Sequence, residues 1–474
     1  MDIYGIQLEI MLVVLGVVGL LVNAFVPRLS PRLIAGLLAG SVGVVFLISL
    51  MMQPVAEPLF GGLCRLDGTA IFFKQLLLAG TGVALLLAMD SPSIRAQGTE
   101  FFSLMLFAAA GMLLLASVNE FICLFVALET VTLCFYVLTA FPTASSRDGE
   151  VLEAGIKYLV MGAVSASLTV YGISYIYGAT GHTGFDAVRE VMVRGGGTAE
   201  AYRFGFLLVL LGVGFKLAMV PLQVWAPDVY QGAPTPASAY LASCSKVAGF
   251  VLLLRLLGAG LLPPGHAGLV LMGLLAGVTL LYGTLGALAQ ADLKRLLGYS
   301  SIAHAGYLLI GLAAGSRAGH VAVAYYLTQY LFTVLCAFLV ISAVGNATGQ
   351  TGRGALTGLY RRSPLLALAL FASMMSLAGV PPLSGALAKF FILLEVVRQG
   401  GGMGYVLAGL GALSAVISLV FYIGVLRSAF TSPDAGEPAI AVPFSTRLAI
   451  GLCLAVMLIL GVWPQPLMVL LRGF

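Results

Sequence analysis

The chain has 474 residues, 60% hydrophobic and only 9% charged, with a formal net charge of +5. Soluble proteins average about 25% charged residues, so this composition excludes a soluble domain of any size and points to an all-α polytopic membrane protein. The positive excess comes mostly from arginines between apolar runs and implies no nucleic-acid partner.

The N-terminus carries Asp2 and Glu9 but no early Lys or Arg. It lacks the basic start of a cleaved signal peptide, so the first apolar run reads as a retained span. A span needs about 20 mostly apolar residues. That rule predicts about fourteen: 5–26, 33–52, 68–89, 100–117, 119–141, 153–178, 203–225, 235–261, 266–290, 296–315, 318–346, 364–398, 404–430 and 446–470. Alternate loops differ in positive charge. One set holds Arg28, Arg32, Arg95, Arg147, Lys294, Arg295, Arg353, Arg361, Arg362, Arg427 and Arg447; the other holds Arg65, Arg189, Arg194, Arg203, Arg317, Arg398 and Arg472. The richer set predicts the cytoplasmic side. The expectation is a multi-pass protein of the bacterial inner (cytoplasmic) membrane, with both termini in the periplasm.

Arginine stays charged, whereas a buried lysine can lose its proton. Most arginines here fall in loops or at helix ends. Lys216, Lys246 and Lys389 fall deep in apolar runs, Lys74 and Lys157 nearer the starts of theirs, and only Lys294 reads as a loop residue. Titratable cations inside and fixed cations outside suggest proton handling. The six cysteines form no CxxC and no Cys/His cluster. They predict neither an iron–sulfur cluster nor zinc. With no P-loop and no GxGxxG in a βαβ setting, the chain is expected to hold no cofactor and no metal of its own.

In chain order, Glu129 is the one acid deep in its span. It reads as a partner for a buried lysine, or as a carboxyl that bonds a neighbouring helix. A Glu–Lys pair lets each group keep its charge in low dielectric, and separating the two would push the lysine to release its proton. Glu153 and Lys157 stand i,i+4 at the start of the sixth span, a surface pair or a cytoplasmic proton entry. Glu9, Lys74 and Glu395 are expected to reach toward an interface or a partner subunit. Lys216 is followed five residues later by Pro221. Proline removes its own N–H and frees the carbonyl four residues back, at Leu217. Such a break must face protein or a water-filled cavity. Asp228 follows at the cytoplasmic end as a tie for the loop, and Lys246 sits near the middle of the next helix. His304 has hydroxyls near it in sequence and could relay protons. Tyr325, Tyr326, Thr328, Gln329 and Tyr330 make the eleventh span polar, as a wetted path or as aromatic packing. A second break is predicted at Pro381 and Pro382, with Lys389 two turns on.

Pro221 and Pro381 are separated by five spans. An odd repeat must be inverted in the membrane, and paired interrupted helices in matching halves point to a transport pathway. The expected units are residues 1–99 (three N-terminal spans), 100–261 (first repeat), 266–430 (second, inverted repeat) and 431–474 (a C-terminal span).

The runs GFKLAMVPLQVWAPDVYQGAPTPASAYLASCSKVAGF, DLKRLLGYSSIAHAGYLLIGL and LAGVPPLSGALAKFFIL closely resemble the N-type antiporter-like membrane subunits of respiratory complex I, the bacterial NADH:quinone oxidoreductase. The resemblance covers roughly residues 100 to 430, and PDVYQGAPTP is its most specific part. It implies fourteen spans, two inverted five-helix repeats, and discontinuous seventh and twelfth helices. It implies that Glu129 pairs with Lys216, that Lys246 and His304 lie on a central hydrophilic axis, and that Lys389 serves the far half-channel. M-type relatives are expected to carry glutamate at that last position, and L-type relatives a long lateral helix after the final span. NAD, FMN, iron–sulfur clusters and quinone would belong to partner subunits. K-type and M-type membrane subunits would be neighbours, with lipid around them. Related N-type chains serve complexes fed by ferredoxin, a deazaflavin or hydrogenase modules, and similar chains occur in Mrp-type cation/proton antiporters.

Overall fold

The computed structural model describes residues 2–26, 30–91, 94, 98–142, 148–262, 266–431 and 438–473. Arg28, Arg95 and Arg147 lie outside these residues. The main helices are α1 (Gln7–Phe25), α2 (Pro31–Ser49), α3 (Gly68–Met89), α4 (Gly98–Ser117), α5 (Phe121–Thr139), α6 (Asp148–Thr180), α7 (Ala199–Leu217), α8 (Trp225–Gly232), α9 (Thr235–Gly258), α10 (His266–Leu288), α11 (Leu293–Ala313), α12 (Arg317–Thr348), α13 (Pro364–Ala378), α14 (Ser384–Gln399), α15 (Gly401–Phe430), α16 (Phe444–Val462) and α17 (Gln465–Arg472). Among the described residues, twelve helices are individually long and apolar enough to cross a membrane. The predicted seventh and twelfth spans are not among them; each is divided, α7 from α8 and α13 from α14.

Helix α12 is the buried centre. It packs against α11, α13, α14, α16 and α3, and nearly all of its apolar stretch is covered. Helices α1, α2, α6 and α15 leave long apolar faces exposed, as lipid-facing helices do. Close helix approach rests on small residues. Where α6 lies along α7, a Cβ on Gly172 would stand 2.6 Å from the Gly205 carbonyl oxygen, and one on Gly205 would stand 2.7 Å from that of Gly172.

Side chains tie the N-terminal helices to the rest. Lys74 is fully buried. Its Nζ lies 2.7 Å from Glu9 Oε1, as an ion pair outside hydrogen-bonding geometry, and donates to the Gly5 carbonyl at 2.8 Å. The expectation that Glu9 and Lys74 reach outward is therefore corrected: each is the other's counter-charge. Two separate charges in apolar surroundings would cost several kcal/mol each. Glu395 pairs with Arg398 at 2.8 Å. Arg255, on α9, grips Asp67 with two bonds of 2.5 and 2.7 Å and donates to the Ala116 carbonyl. Asp67 also caps α3 by accepting the Ala70 N–H. Burial pushes the Asp67 carboxyl up, but Arg255 outweighs it and holds the group below the usual carboxylate range. Asp90 accepts from Arg32, Thr446 and Ser445, joining α2 and α3 to α16.

Both predicted breaks are present, and protein side chains bond part of the backbone around them. Helix α7 stops at Leu217, with Ala218 in the left-handed region at φ 55°. Trp225 Nε1 donates to the Phe215 carbonyl at 3.1 Å, and the Val220 N–H to Thr279 Oγ1 at 3.1 Å. Helix α13 stops at Ala378, capped by Gly379 at φ 89°. The second half-helix returns so closely that a Cβ on Gly385 would lie 1.8 Å from the Ser376 carbonyl oxygen. Gly385→Ala should therefore force the two half-helices apart, costing about 1–3 kcal/mol or more. The check is the level of subunit in membranes and its thermal midpoint, with both expected to fall.

Candidate functional site: a buried cationic and tyrosine axis

Between the two breaks runs a line of buried polar groups. Helix α7 brings Lys216, 3% exposed, to the bundle interior one residue before its end. Its Nζ donates to Tyr158 Oη at 3.1 Å and lies over the Phe135 and Tyr158 rings, 5.1 and 5.8 Å from their centroids. Such ring faces attract a cation. Glu129, on α5, is within electrostatic reach of Lys216, yet its Oε1 is buried with no hydrogen-bond partner.

Helix α9 brings Lys246 in, 2% exposed, directly after a π-helical turn over Leu241–Ser245. Its Nζ donates to the Ser301 carbonyl and lies 5.9 Å from the Tyr330 centroid. Ser301 Oγ is 3.2 Å from Tyr230 Oη and accepts from Tyr330 Oη at 3.3 Å. One turn on, His304 Nδ1 is 2.5 Å from Tyr326 Oη and its Nε2 is 3.3 Å from Tyr422 Oη. Tyr422 Oη is in turn 2.6 Å from Ser300 Oγ. Lys389, 6% exposed, lies 4.9 Å over the Tyr307 ring and donates to the Ala378 carbonyl at 2.8 Å. Pro382 frees that carbonyl, so the lysine completes the break that precedes it. Lys246 and Lys389 are both within electrostatic reach of His304.

The fold thus gathers Lys246, His304 and Lys389 around shared tyrosines. Lys216 and Glu129 form a neighbouring group, with no side-chain hydrogen bond from Lys216 to Lys246 among the described residues. A hydroxyl both donates and accepts, so this lining can hold a proton on a nitrogen and hand it on.

At the end of the bundle bearing the breaks' polar turn, Lys157 Nζ lies 2.7 Å from Glu153 Oε1 and 2.8 Å from Asp228 Oδ2. Arg295 bonds Asp228 Oδ1 at 2.5 Å. These groups line an open cavity of about 190 Å³. Lys294 departs from its loop reading. It lies in the first turn of α11, buried, and donates to the Ala233 carbonyl at 2.7 Å. A polar loop carbonyl folded over that turn gives its charge a partner. Tyr325 points away from His304 and donates to the Leu460 carbonyl on α16 at 2.7 Å.

Sequence reasoning missed Tyr158, Tyr230 and Tyr422. Tyr158 follows Lys157 and Tyr230 lies two residues past Asp228, but no local pattern marks a tyrosine as lining rather than packing. Among the described residues, no group of three or more His, Cys, Asp or Glu side chains gathers as a metal site would require.

Residues 118–418 match the family described as NADH:quinone oxidoreductase/Mrp antiporter, TM. NADH-quinone oxidoreductase subunit N of Moorella thermoacetica is 34% identical over 472 residues, covering 98% of this chain and 97% of that one. The protein of that name from Rhodospirillum rubrum is 36% identical over 454 residues, covering 93% and 90%. A chain of respiratory complex I from Thermus thermophilus superposes with a TM-score of 0.81 at 32% identity, covering 97% and 98%. A chain of the Mrp complex from Dietzia sp. shares the fold, with a TM-score of 0.84 at 20% identity, covering 100% and 97%.

Proposed function

We infer that this chain, which belongs to the NADH:quinone oxidoreductase/Mrp antiporter family and to its subunit N branch, translocates protons as a non-redox membrane subunit of an NADH:quinone oxidoreductase. The observation that carries this reading is the buried cluster between two broken helices in which Lys246 bonds the Ser301 carbonyl, Ser301 Oγ accepts from Tyr330, and the Tyr330 ring packs 5.2 Å from the His304 ring. Intramembrane ionisable residues are costly, and among the described residues Lys216, Lys246 and Lys389, unlike Lys74 with Glu9, have no carboxylate within ion-pair distance to offset that cost.

In this reading, quinone reduction elsewhere in the complex shifts the balance between Glu129 and Lys216. Lys216 then passes its proton toward Lys246, through internal water where no side chain bridges them. The proton continues by way of Ser301 and His304 to Lys389 and leaves at the far side. Asp228, Glu153 and Lys157 form the cytoplasmic mouth, and Tyr325 steadies α16 beside the path. NAD, FMN, iron–sulfur clusters and quinone stay in partner subunits, with K-type and M-type membrane subunits as neighbours. The two divided helices count as one span each and bring the total to fourteen. Residues 100–261 and 266–430 form the inverted repeats, flanked by 1–99 and 431–474. Both termini face the periplasm of a bacterial inner membrane.

Lys246→Met tests the axis. It keeps an unbranched side chain one atom shorter and removes the titratable nitrogen. The complex should assemble and lose pumping by about tenfold or more, the scale of a lost proton-transfer group. Proton uptake into vesicles, measured with a pH-sensitive dye during NADH-driven quinone reduction, reads this directly. Parental pumping in a fully assembled variant would reject the path.

A further inference from the structure

We propose that Cys64 and Cys123 are a thiol pair that a dithiol–disulfide oxidant can close into an intrachain disulfide, fastening the loop before α3 to the first turn of α5. Their sulfurs stand 3.9 Å apart, 59 residues apart in the chain. A disulfide bond is roughly 2 Å long, so each sulfur need move only about 1 Å.

Both backbones are held by bonds that do not involve the thiols. Leu59 N–H donates to the Cys64 carbonyl at 2.8 Å, and Cys64 N–H to the Leu59 carbonyl at 3.3 Å. Arg65 N–H donates to the Ser117 carbonyl at 2.7 Å, and Asn119 N–H to the Leu63 carbonyl at 2.9 Å. These bonds lay the Cys64 segment against the α4–α5 link. Cys123 is placed from the other side: its N–H donates to Glu120 Oε2 at 2.6 Å, the cap of α5. The pairing is thus fixed by the register of two segments rather than by two mobile side chains. Cys134, Cys244, Cys336 and Cys453 lie inside helices of the bundle, while Cys123 keeps partial exposure.

The Cys123 thiol draws the Cys64 thiol below its ordinary value; burial and Glu9 oppose this, while Lys74 and Arg255 assist. A thiolate is the nucleophile in exchange. One thiolate attacks the oxidant's disulfide and forms a mixed disulfide. The second thiolate displaces the oxidant's remaining sulfur. Two thiols have then lost two protons and two electrons, and the oxidant leaves as its reduced dithiol. The pair lies at the end of the bundle that carries the N-terminus, the periplasmic face in the reading above, where such oxidants act in bacteria.

The test uses the purified intact complex, so it depends neither on the facing nor on pumping. One sample receives the small disulfide oxidant 4,4′-dithiodipyridine, another a phosphine reductant. Both are then denatured, alkylated and mapped by mass spectrometry. The expected result is a peptide containing Cys64 joined to one containing Cys123 in the oxidised sample, abolished by the reductant. Cys64→Ser should lose the linked peptide and leave Cys123 capped singly by the oxidant. If the parental chain instead shows both cysteines singly capped, or both freely alkylated, the proposal fails.

Discussion

Complexes carrying Lys216→Ala should assemble and yet lose about nine-tenths or more of their proton pumping, the scale expected for a missing proton-transfer group. Among the described residues, Lys216 makes one hydrogen bond, to Tyr158, and rests on two ring faces. Its removal leaves a small cavity and takes the counter-charge from Glu129. The cavity alone would slow nothing in particular, so a second variant separates packing from proton transfer. Lys216→Arg retains a cation of similar reach, but a guanidinium does not give up its proton. If titration is what matters, Arg should be as inactive as Ala although it refills the cavity and keeps the charge beside Glu129. If Arg pumps at the parental rate, Lys216 acts only as a fixed charge and the path loses its first carrier.

The second large effect should appear far from that axis. Lys74→Met alone, or Glu9→Gln alone, should destabilise the chain by about 3–5 kcal/mol, because each strands or unbalances a charge inside apolar surroundings. The double variant Lys74→Met/Glu9→Gln removes both charges and should recover much of that loss. Thermal midpoints of the solubilised complex, followed by the release of this subunit, give the cycle. Additive losses would mean that the 2.7 Å contact carries no coupling. The pair adds to the packing of α1 along α4 and to the Asn23 bonds with Glu100 and Thr99 that hold this otherwise lipid-exposed helix to the bundle.

Helix breaks were legible because proline chemistry is local: Pro221 and Pro381 mark α7/α8 and α13/α14 whatever surrounds them. The buried lysines were legible for a similar reason, since a cation within an apolar run is a conflict visible without coordinates. Glu9 and Lys74 were misread because pairing across 65 residues leaves no periodic trace, and each alone looks close enough to a helix end to reach water. Lys294 was misread because its partner, the Ala233 carbonyl, comes from a distant loop. Tyrosines were the hardest. Tyr325 and Tyr326 are neighbours in sequence, but the rotation of about 100° from one helical residue to the next aims one at Leu460 and the other at His304.

The hydroxyl contacts around His304 have a directional consequence. If the proposed path uses the Tyr422 and Ser300 contacts to reach His304, each proton that hops along them would leave those O–H groups pointing the opposite way. No second proton can follow until each dipole swings back, so the lining behaves as a turnstile that must reset between passages. Because Tyr422 touches both His304 and Ser300, its rotation is the shared hinge. Reset would then be slowed in heavy water, and Tyr422→Phe, which has no hydroxyl to reset, should lose that isotope sensitivity together with most of its throughput. An unchanged isotope effect in Tyr422→Phe would put the slow step elsewhere.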